Sequence, residues 1–191
     1  MVDEIYPIRG TLTKQMQSSA LVEPAGPKYA LYQEICERLH HLLGDEKNFV
    51  ANAANTSALL FQMLPDINWV GFYIADRNEL VLGPFQGKPA TTRIPFGKGV
   101  CGTAATRGRA VIVPDVSKFA GHIACDPTSR SEIVVPLLTW GKFIGVLDVD
   151  STTLKRFDAE DQEGLESVAA VFLGSLIEND LPDLSDEAAL S

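Results

Sequence analysis

No apolar stretch in this 191-residue chain approaches the length needed to cross a bilayer, which argues against a membrane-spanning helix. The N-terminus, MVDEIYPIRGTLTKQMQ, lacks the basic start and apolar centre of a secretory signal, so a cytoplasmic location is expected. No basic stripe is present, and 25 Asp and Glu against 16 Lys and Arg give a net charge of −9. Nucleic acid rewards clustered Lys and Arg through counterion release, and is therefore not an expected partner. There is no P-loop, no dinucleotide fingerprint and no HExxH pair, so phosphate and zinc chemistry have no motif to stand on. Cysteine is scarce, at three residues, and never forms the close CxxC pairs of a zinc ribbon. His122 and Cys125 have HxxC spacing but no second pair completes it, and no metal is expected.

What is present is an ordinary globular composition, 46% hydrophobic and 21% charged, long enough for one domain with a core that needs no disulfide staples. Pro24, Gly26 and Pro27 close a polar N-terminal arm over residues 1–27, and an acidic tail over 179–191 reads as solvated and disordered. Residues 28–178 remain as the domain. From Tyr29, Leu31, Ile35, Leu39 and Leu42 recur at helical spacing, with Cys36 expected to be buried and His40 and His41 on the surface. A second helix follows Gly44 and is closed by Pro65. NWVGFYIAD and ELVLGPF flank the turn Asp76-Arg77-Asn78 and predict a hairpin. TTRIPF, AVIVPDV, SEIVVPLLTW and KFIGVLDVDS predict four further strands, and CGTAATRG a helix of about two turns ended by Gly108. Asp158 N-caps a closing helix with an acidic first turn. This order predicts an α+β fold, an antiparallel sheet with helices packed mainly on one side.

Cys101 in GKGVCGTAATRG and Cys125 in GHIACDPTSRSE lie in loop-like, solvent-side sequence, 24 positions apart. Folding could bring them together as an attacking and a resolving thiol. Equally, both could be small packing residues, because unpaired cysteine is among the most buried residue types. Cys101 opens a short helix, whose backbone N–H groups favour a thiolate. For Cys125, His122 and Arg130 would stabilise a thiolate while Asp126 opposes it. Residue chemistry alone leaves the choice between them open.

Taken together, NWVGFYI, LVLGPFQGKPA, IPFGKGVCGTA, GHIACDPTSRSEIVVPL and IGVLDVDS resemble a GAF domain, and more narrowly the free methionine-(R)-sulfoxide reductase family. The pairing of GVCGTA with HIACD and SEIVVP is the most specific part of that resemblance. It implies reduction of free L-methionine (R)-sulfoxide, no bound cofactor, thioredoxin as reductant, and a homodimer. It also selects Cys125 as nucleophile. Many family members carry a further cysteine where this chain has Ala90-Thr91-Thr92, and that thiol often closes the disulfide. With Thr91 there, either Cys101 resolves the oxidised Cys125 or reductant attacks it directly.

The resemblance further implies acids at Glu132, Asp148 and Asp150. Asp148 and Asp150 are two apart on a strand and share a face, with Glu132 entering from a neighbouring strand. Mutual repulsion should raise one pKa and keep a proton for the sulfoxide oxygen. The same cluster can hold the α-ammonium of a free amino acid, while Trp69 walls the pocket against the substrate methyl. Two other functions fit a GAF domain: a ligand-sensing module without turnover, and a redox sensor that switches on a Cys101–Cys125 disulfide.

Overall fold

Alternation along the strands gives the chain its two faces. In WVGFY, Val70 and Phe72 point one way and Trp69 and Tyr73 the other, and all four are completely buried, so both sides of the sheet must be covered. A computed structural model describes residues 26–123, 126–139 and 141–177. Nearly all of the N-terminal arm, the acidic tail and Cys125 itself lie outside the described residues. The elements are α1 (Tyr29–Leu43), α2 (Phe49–Met63), β1 (Trp69–Asp76), β2 (Glu79–Gln86), β3 (Arg93–Pro95), α3 (Gly99–Arg107), β4 (Val111–Val113), β5 (Ser131–Thr139), β6 (Lys142–Ser151) and α4 (Ala159–Ser175). They form one sheet in the order β3-β2-β1-β6-β5-β4, antiparallel throughout.

Three helices cover one face and one covers the other. Val70, Phe72, Ile133, Val135, Leu147 and Val149 pack beneath α1, α2 and α4. Trp69, Tyr73, Val134 and Val146 pack beneath α3 through Val100, Cys101 and Ala104. The predicted α+β sheet with helices mainly on one side is therefore the fold observed. The buried stripe of α1 is Tyr32, Ile35, Leu39 and Leu43, whereas Leu42 is exposed, which corrects the expected Leu31-to-Leu42 register. Tyr32 sets the stripe by lying over Gly164 of α4, where an added Cβ would fall 2.1 Å from its ring. Cys36 is half-buried, and burial raises its pKa. His40 and His41 are exposed, as expected.

The start of α4 is fixed by the Asp158 cap. Its side chain accepts from the backbones of Glu160 and Asp161, and the Asp161 carboxylate accepts from the Asp158 backbone in return. Buried Asp161 also accepts from Tyr32 and Arg156 and pairs with Lys28, which ties the entry of α1 to the entry of α4.

α3 begins two residues before the expected CGTAATRG, at Gly99, and ends at Gly108 in the left-handed conformation. Its first turn sits against the end of β3. The Gly97 N–H donates to the Gly102 carbonyl at 2.8 Å, and a Cβ on Gly102 would lie 2.4 Å from the Pro95 carbonyl oxygen. Only glycine lets the backbone approach this closely. Gly102→Ala should therefore destabilise the protein by about 1–3 kcal/mol, the usual cost of overpacking, read as a lower urea midpoint. Gly174→Ala, where nothing lies within 4 Å, is the helix control and should leave the midpoint unchanged or higher.

Candidate active site

The β-ladders bring the predicted acids together on the α3 face. Glu132 pairs directly with Asp150 across β5 and β6, and Asp150 pairs with Trp69 across β6 and β1. Asp148, two residues back, sits between Val134 and Gly71. Residues directly opposite one another share a face, so Trp69, Glu132, Asp148 and Asp150 all project beneath α3. Each is buried, with 3% exposure or less.

Trp69 acquires its place from two glycines. A Cβ on Gly71 would lie 2.7 Å from the Trp69 ring, and one on Gly87 would lie 2.6 Å from it. The indole stacks on Phe85 at 5.3 Å and on Tyr73 at 6.0 Å between centroids. Its Nε1–H donates to the Lys88 carbonyl at 3.0 Å, and the Tyr73 hydroxyl donates to the Thr91 carbonyl at 2.9 Å. Two aromatic side chains on the sheet thereby hold the segment between β2 and β3 across this face.

Cys101 differs from the sequence expectation. It lies in the first turn of α3, buried at 3% exposure, and not in a solvent-side loop. The apolar spacing of Val100, Cys101 and Ala104 turns it onto the sheet. Its thiol donates to Glu132 Oε1 at 3.9 Å, a sulfur-length hydrogen bond. The other oxygen, Glu132 Oε2, faces His122 Nε2 at 3.2 Å, without the alignment of a hydrogen bond. The expected contact of His122 with Cys125 falls on a residue outside those described, and the contact seen for the ring is with this acid.

Burial is the main reason that the Glu132 carboxyl titrates well above the ordinary carboxylate range, and the negative charge of Asp150 adds to it. Hydrogen bonds with Asp148 and Cys101 pull the other way without reversing the shift. A hydrogen bond between the Glu132 and Asp148 carboxyls itself requires a proton on one of them. Asp150 is raised likewise, by burial first and then by the charges of Asp148 and Asp126, against a hydrogen bond from Ser129. Two raised acids stand where one was expected.

Asp126 behaves in the opposite way. Burial works upward on it, but hydrogen bonds from Thr128, Lys88 and Asn68 outweigh that and hold it at about 2. The Thr128 backbone and hydroxyl donate at 2.8 and 2.7 Å, and Lys88 Nζ approaches at 3.1 Å. Lys88 was missed as a partner of Asp126, because the two lie 38 positions apart in separate segments and no spacing links them. Arg130 is exposed. One donor atom from each of Cys101, Glu132 and Asp148 lies within 4.8 Å of the others, close enough for a divalent cation to bridge if it displaced the proton there. No sequence spacing announces this group, because three elements supply it.

A curled antiparallel sheet flanked by helices, with its site on the less covered face, defines a GAF domain, and the GAF domain model matches residues 29–173. The relatives narrow this. The free methionine-R-sulfoxide reductase of Escherichia coli is 51% identical over 143 residues, covering 75% of this chain and 87% of that one. The Saccharomyces cerevisiae protein of the same name is 45% identical over 157 residues, covering 76% and 87%. The Neisseria meningitidis enzyme of that name, solved with its substrate, superposes with a TM-score of 0.75 at 48% identity, covering 80% and 92%. The chain belongs to the free methionine-R-sulfoxide reductase family of GAF-domain proteins.

The raised acids fix the sign of a stability effect. Between the unfolded carboxylate range near pH 4 and their higher folded values, Glu132 and Asp150 bind more protons in the folded chain than in the unfolded one. Stability contributed by these groups is full below about pH 4 and declines as pH rises through that window. Glu132→Gln and Asp150→Asn should therefore raise Tm at pH 7–8 by a few degrees and flatten its fall with pH. Melting curves at pH 5 and pH 8 measure this, and a lower Tm in both variants at pH 8 would contradict it.

Proposed function

We propose that the chain is an oxidoreductase that reduces free L-methionine (R)-sulfoxide to L-methionine through cysteine chemistry. The observation that carries this reading is a pair of buried carboxyl groups of raised pKa, Glu132 beside a thiol, under a tryptophan, on one face of the sheet. A module that only senses a ligand has no use for a stored proton next to a thiol. The substrate is the one for which the family's reductases are named.

Cys125 is the nucleophile. Its thiolate attacks the sulfoxide sulfur while Glu132 gives its proton to the departing oxygen. The substrate S–O bond breaks, and the hydroxyl becomes bonded to the Cys125 sulfur as the transient bond between the two sulfurs breaks. The substrate sulfur, two electrons richer, leaves as methionine, and Cys125 is left as a sulfenic acid. Asp148 and Asp150 bind the α-ammonium, and Trp69 lies against the methyl group. Cys101 then attacks the sulfenic sulfur, a disulfide forms, and water leaves. Thioredoxin returns both thiols by exchange, which suits a reducing cytoplasm where such a disulfide is transient. No helix among the described residues is long and apolar enough to cross a membrane. Homodimerisation is part of the same reading, and Leu42 on α1 with Val50 and Phe61 on α2 offers exposed apolar surface for it.

A coupled assay with thioredoxin, thioredoxin reductase and NADPH tests the activity. Free (R)-sulfoxide should be turned over, and the (S) form and N-acetylmethionine sulfoxide should not, because acylation removes the ammonium charge. Glu132→Gln and Asp150→Asn should lose about 10²–10⁴-fold in turnover, the range for a missing acid–base group. Equal rates on free and N-acetylated substrate would remove the ammonium contact.

The thiols are separated by single turnover. Cys125→Ser should release no methionine. Cys101→Ser should release about one equivalent and then stall with thioredoxin, because sulfenic acid formation needs one thiol and disulfide closure needs two. Peptide mapping of the substrate-treated protein should find a Cys101–Cys125 link and an unmodified Cys36. The exchange of phenotypes between the two variants would exchange the roles.

A further inference from the structure

The reaction proposed above uses the Glu132 proton once per cycle, and Glu132 is sealed from water. The described titratable groups that face it are Cys101 from α3, Asp148 and Asp150 from β6, and His122 from the segment before β5. Cys101, Asp148 and Asp150 are 3%, 0% and 1% exposed, so none of them can bring a proton in from solvent. The His122 side chain is 16% exposed, while its Nε2 lies 3.2 Å from Glu132 Oε2, which is itself buried. Neither of these two atoms makes an aligned hydrogen bond, so the contact is not spent on holding another group. The His122 backbone is fixed, its N–H donating to the Phe119 carbonyl at 3.1 Å, which sets the ring at the edge of the site.

We propose that His122 is the proton relay that recharges Glu132 between turnovers, acting through Glu132 and not on the substrate. The inference rests on the reductase reading given above. After the S–O bond breaks, Glu132 is a carboxylate and its proton resides in the sulfenic acid. Disulfide closure releases that oxygen as water, with the second hydrogen coming from the Cys101 thiol. Thioredoxin then restores two thiols, and ionisation of Cys125 returns one proton to solvent, so the cycle closes only when Glu132 takes one up. The imidazole accepts a proton at Nδ1 from water and passes the Nε2 hydrogen to Glu132 Oε2. One proton enters, one leaves, and the ring ends neutral. Burial also lowers the His122 pKa, so near neutral pH the ring is chiefly neutral and hands its proton on without retaining it.

The test compares the wild type with His122→Gln, which keeps bulk and polarity without titrating, and His122→Ala, which opens a space for free imidazole. Melting temperatures establish that each variant is folded. Rapid-quench single turnover should release about one equivalent of methionine within about twofold of the wild-type rate, because Glu132 starts protonated in all three. With saturating thioredoxin, kcat should fall about tenfold or more in both variants with KM nearly unchanged, below or at the low end of acid–base contributions. Added imidazole should restore kcat to His122→Ala in proportion to its concentration and leave His122→Gln slow. The relay is overturned by wild-type kcat in His122→Gln, by a loss in His122→Ala that imidazole does not reverse, or by a slowed first turnover. A wild type that fails to reduce the free sulfoxide would instead overturn the reductase reading on which the relay rests.

Discussion

Glu132 and Asp150 sit opposite one another on adjacent strands, with almost no water and with Asp148 one pleat away. Three carboxylates so placed cannot all be ionised. An ion loses its hydration on burial, and like charges a few ångströms apart interact strongly where the effective dielectric is low. The site resolves this by retaining protons, and the surrounding structure is arranged around that constraint. The Cys101 thiol donates to one oxygen of Glu132, a bond that favours the ionised carboxyl but does not overturn the effect of burial. Asp126, only a short way along the chain from Glu132, shows the alternative. Its side chain is as little exposed as theirs, yet it is kept ionised by two hydrogen bonds from Thr128 and by Lys88. The difference between a stored proton and a fixed charge lies in donors supplied locally together with a place at the edge of the site, beside exposed Pro127 and Thr128.

The division of the helices between the two faces follows from the same need. A sheet covered on one side by α1, α2 and α4 is a sufficient core on its own, with Phe72 and Phe172 in ring contact at 4.6 Å at its centre. That leaves the other face to be covered lightly, by a nine-residue helix and the segment after β2. α3 is too short to be stable by itself. Val100 and Ala104 anchor it on Val134 and Val146, and Cys101 is oriented as a consequence of that apolar packing. The reactive group is placed by hydrophobic contact and tuned by electrostatics.

Much of this was legible in the sequence because it depends on local periodicity. The β1–β2 hairpin, the Gly108 stop of α3 and the Asp158 cap are written in adjacent residues, and the period of two in VLDVDS put Asp148 and Asp150 on one face. The register of α1 was misread because Leu31 and Leu42 offer the same spacing as Tyr32 and Leu43. Only the α4 glycine opposite Tyr32 decides between them, and that is a tertiary fact. Cys101 was read as solvent-side because glycine-rich sequence suggests an exposed turn, whereas Gly102 is there to let α3 approach β3. The partners of His122 and Lys88 could not be read at all. They are set by how three segments close over the sheet, which no spacing records.

Thr91 stands where the family resemblance implies a further cysteine, and the structure shows that the placing of this segment does not depend on the side chain there. The segment between β2 and β3 is held by Trp69 to the Lys88 carbonyl and by Tyr73 to the Thr91 carbonyl, both backbone acceptors. A backbone carbonyl is present whatever the side chain, so exchanging cysteine for threonine keeps both of these anchors. Trp69 and Tyr73 are in turn fixed by stacking on the sheet, which does not depend on the segment they hold. Redox wiring and loop placement are thus carried by different atoms. A thiol or a hydroxyl at this position therefore leaves the wall of the pocket in place, and Cys101 is held by helix packing that such an exchange does not touch.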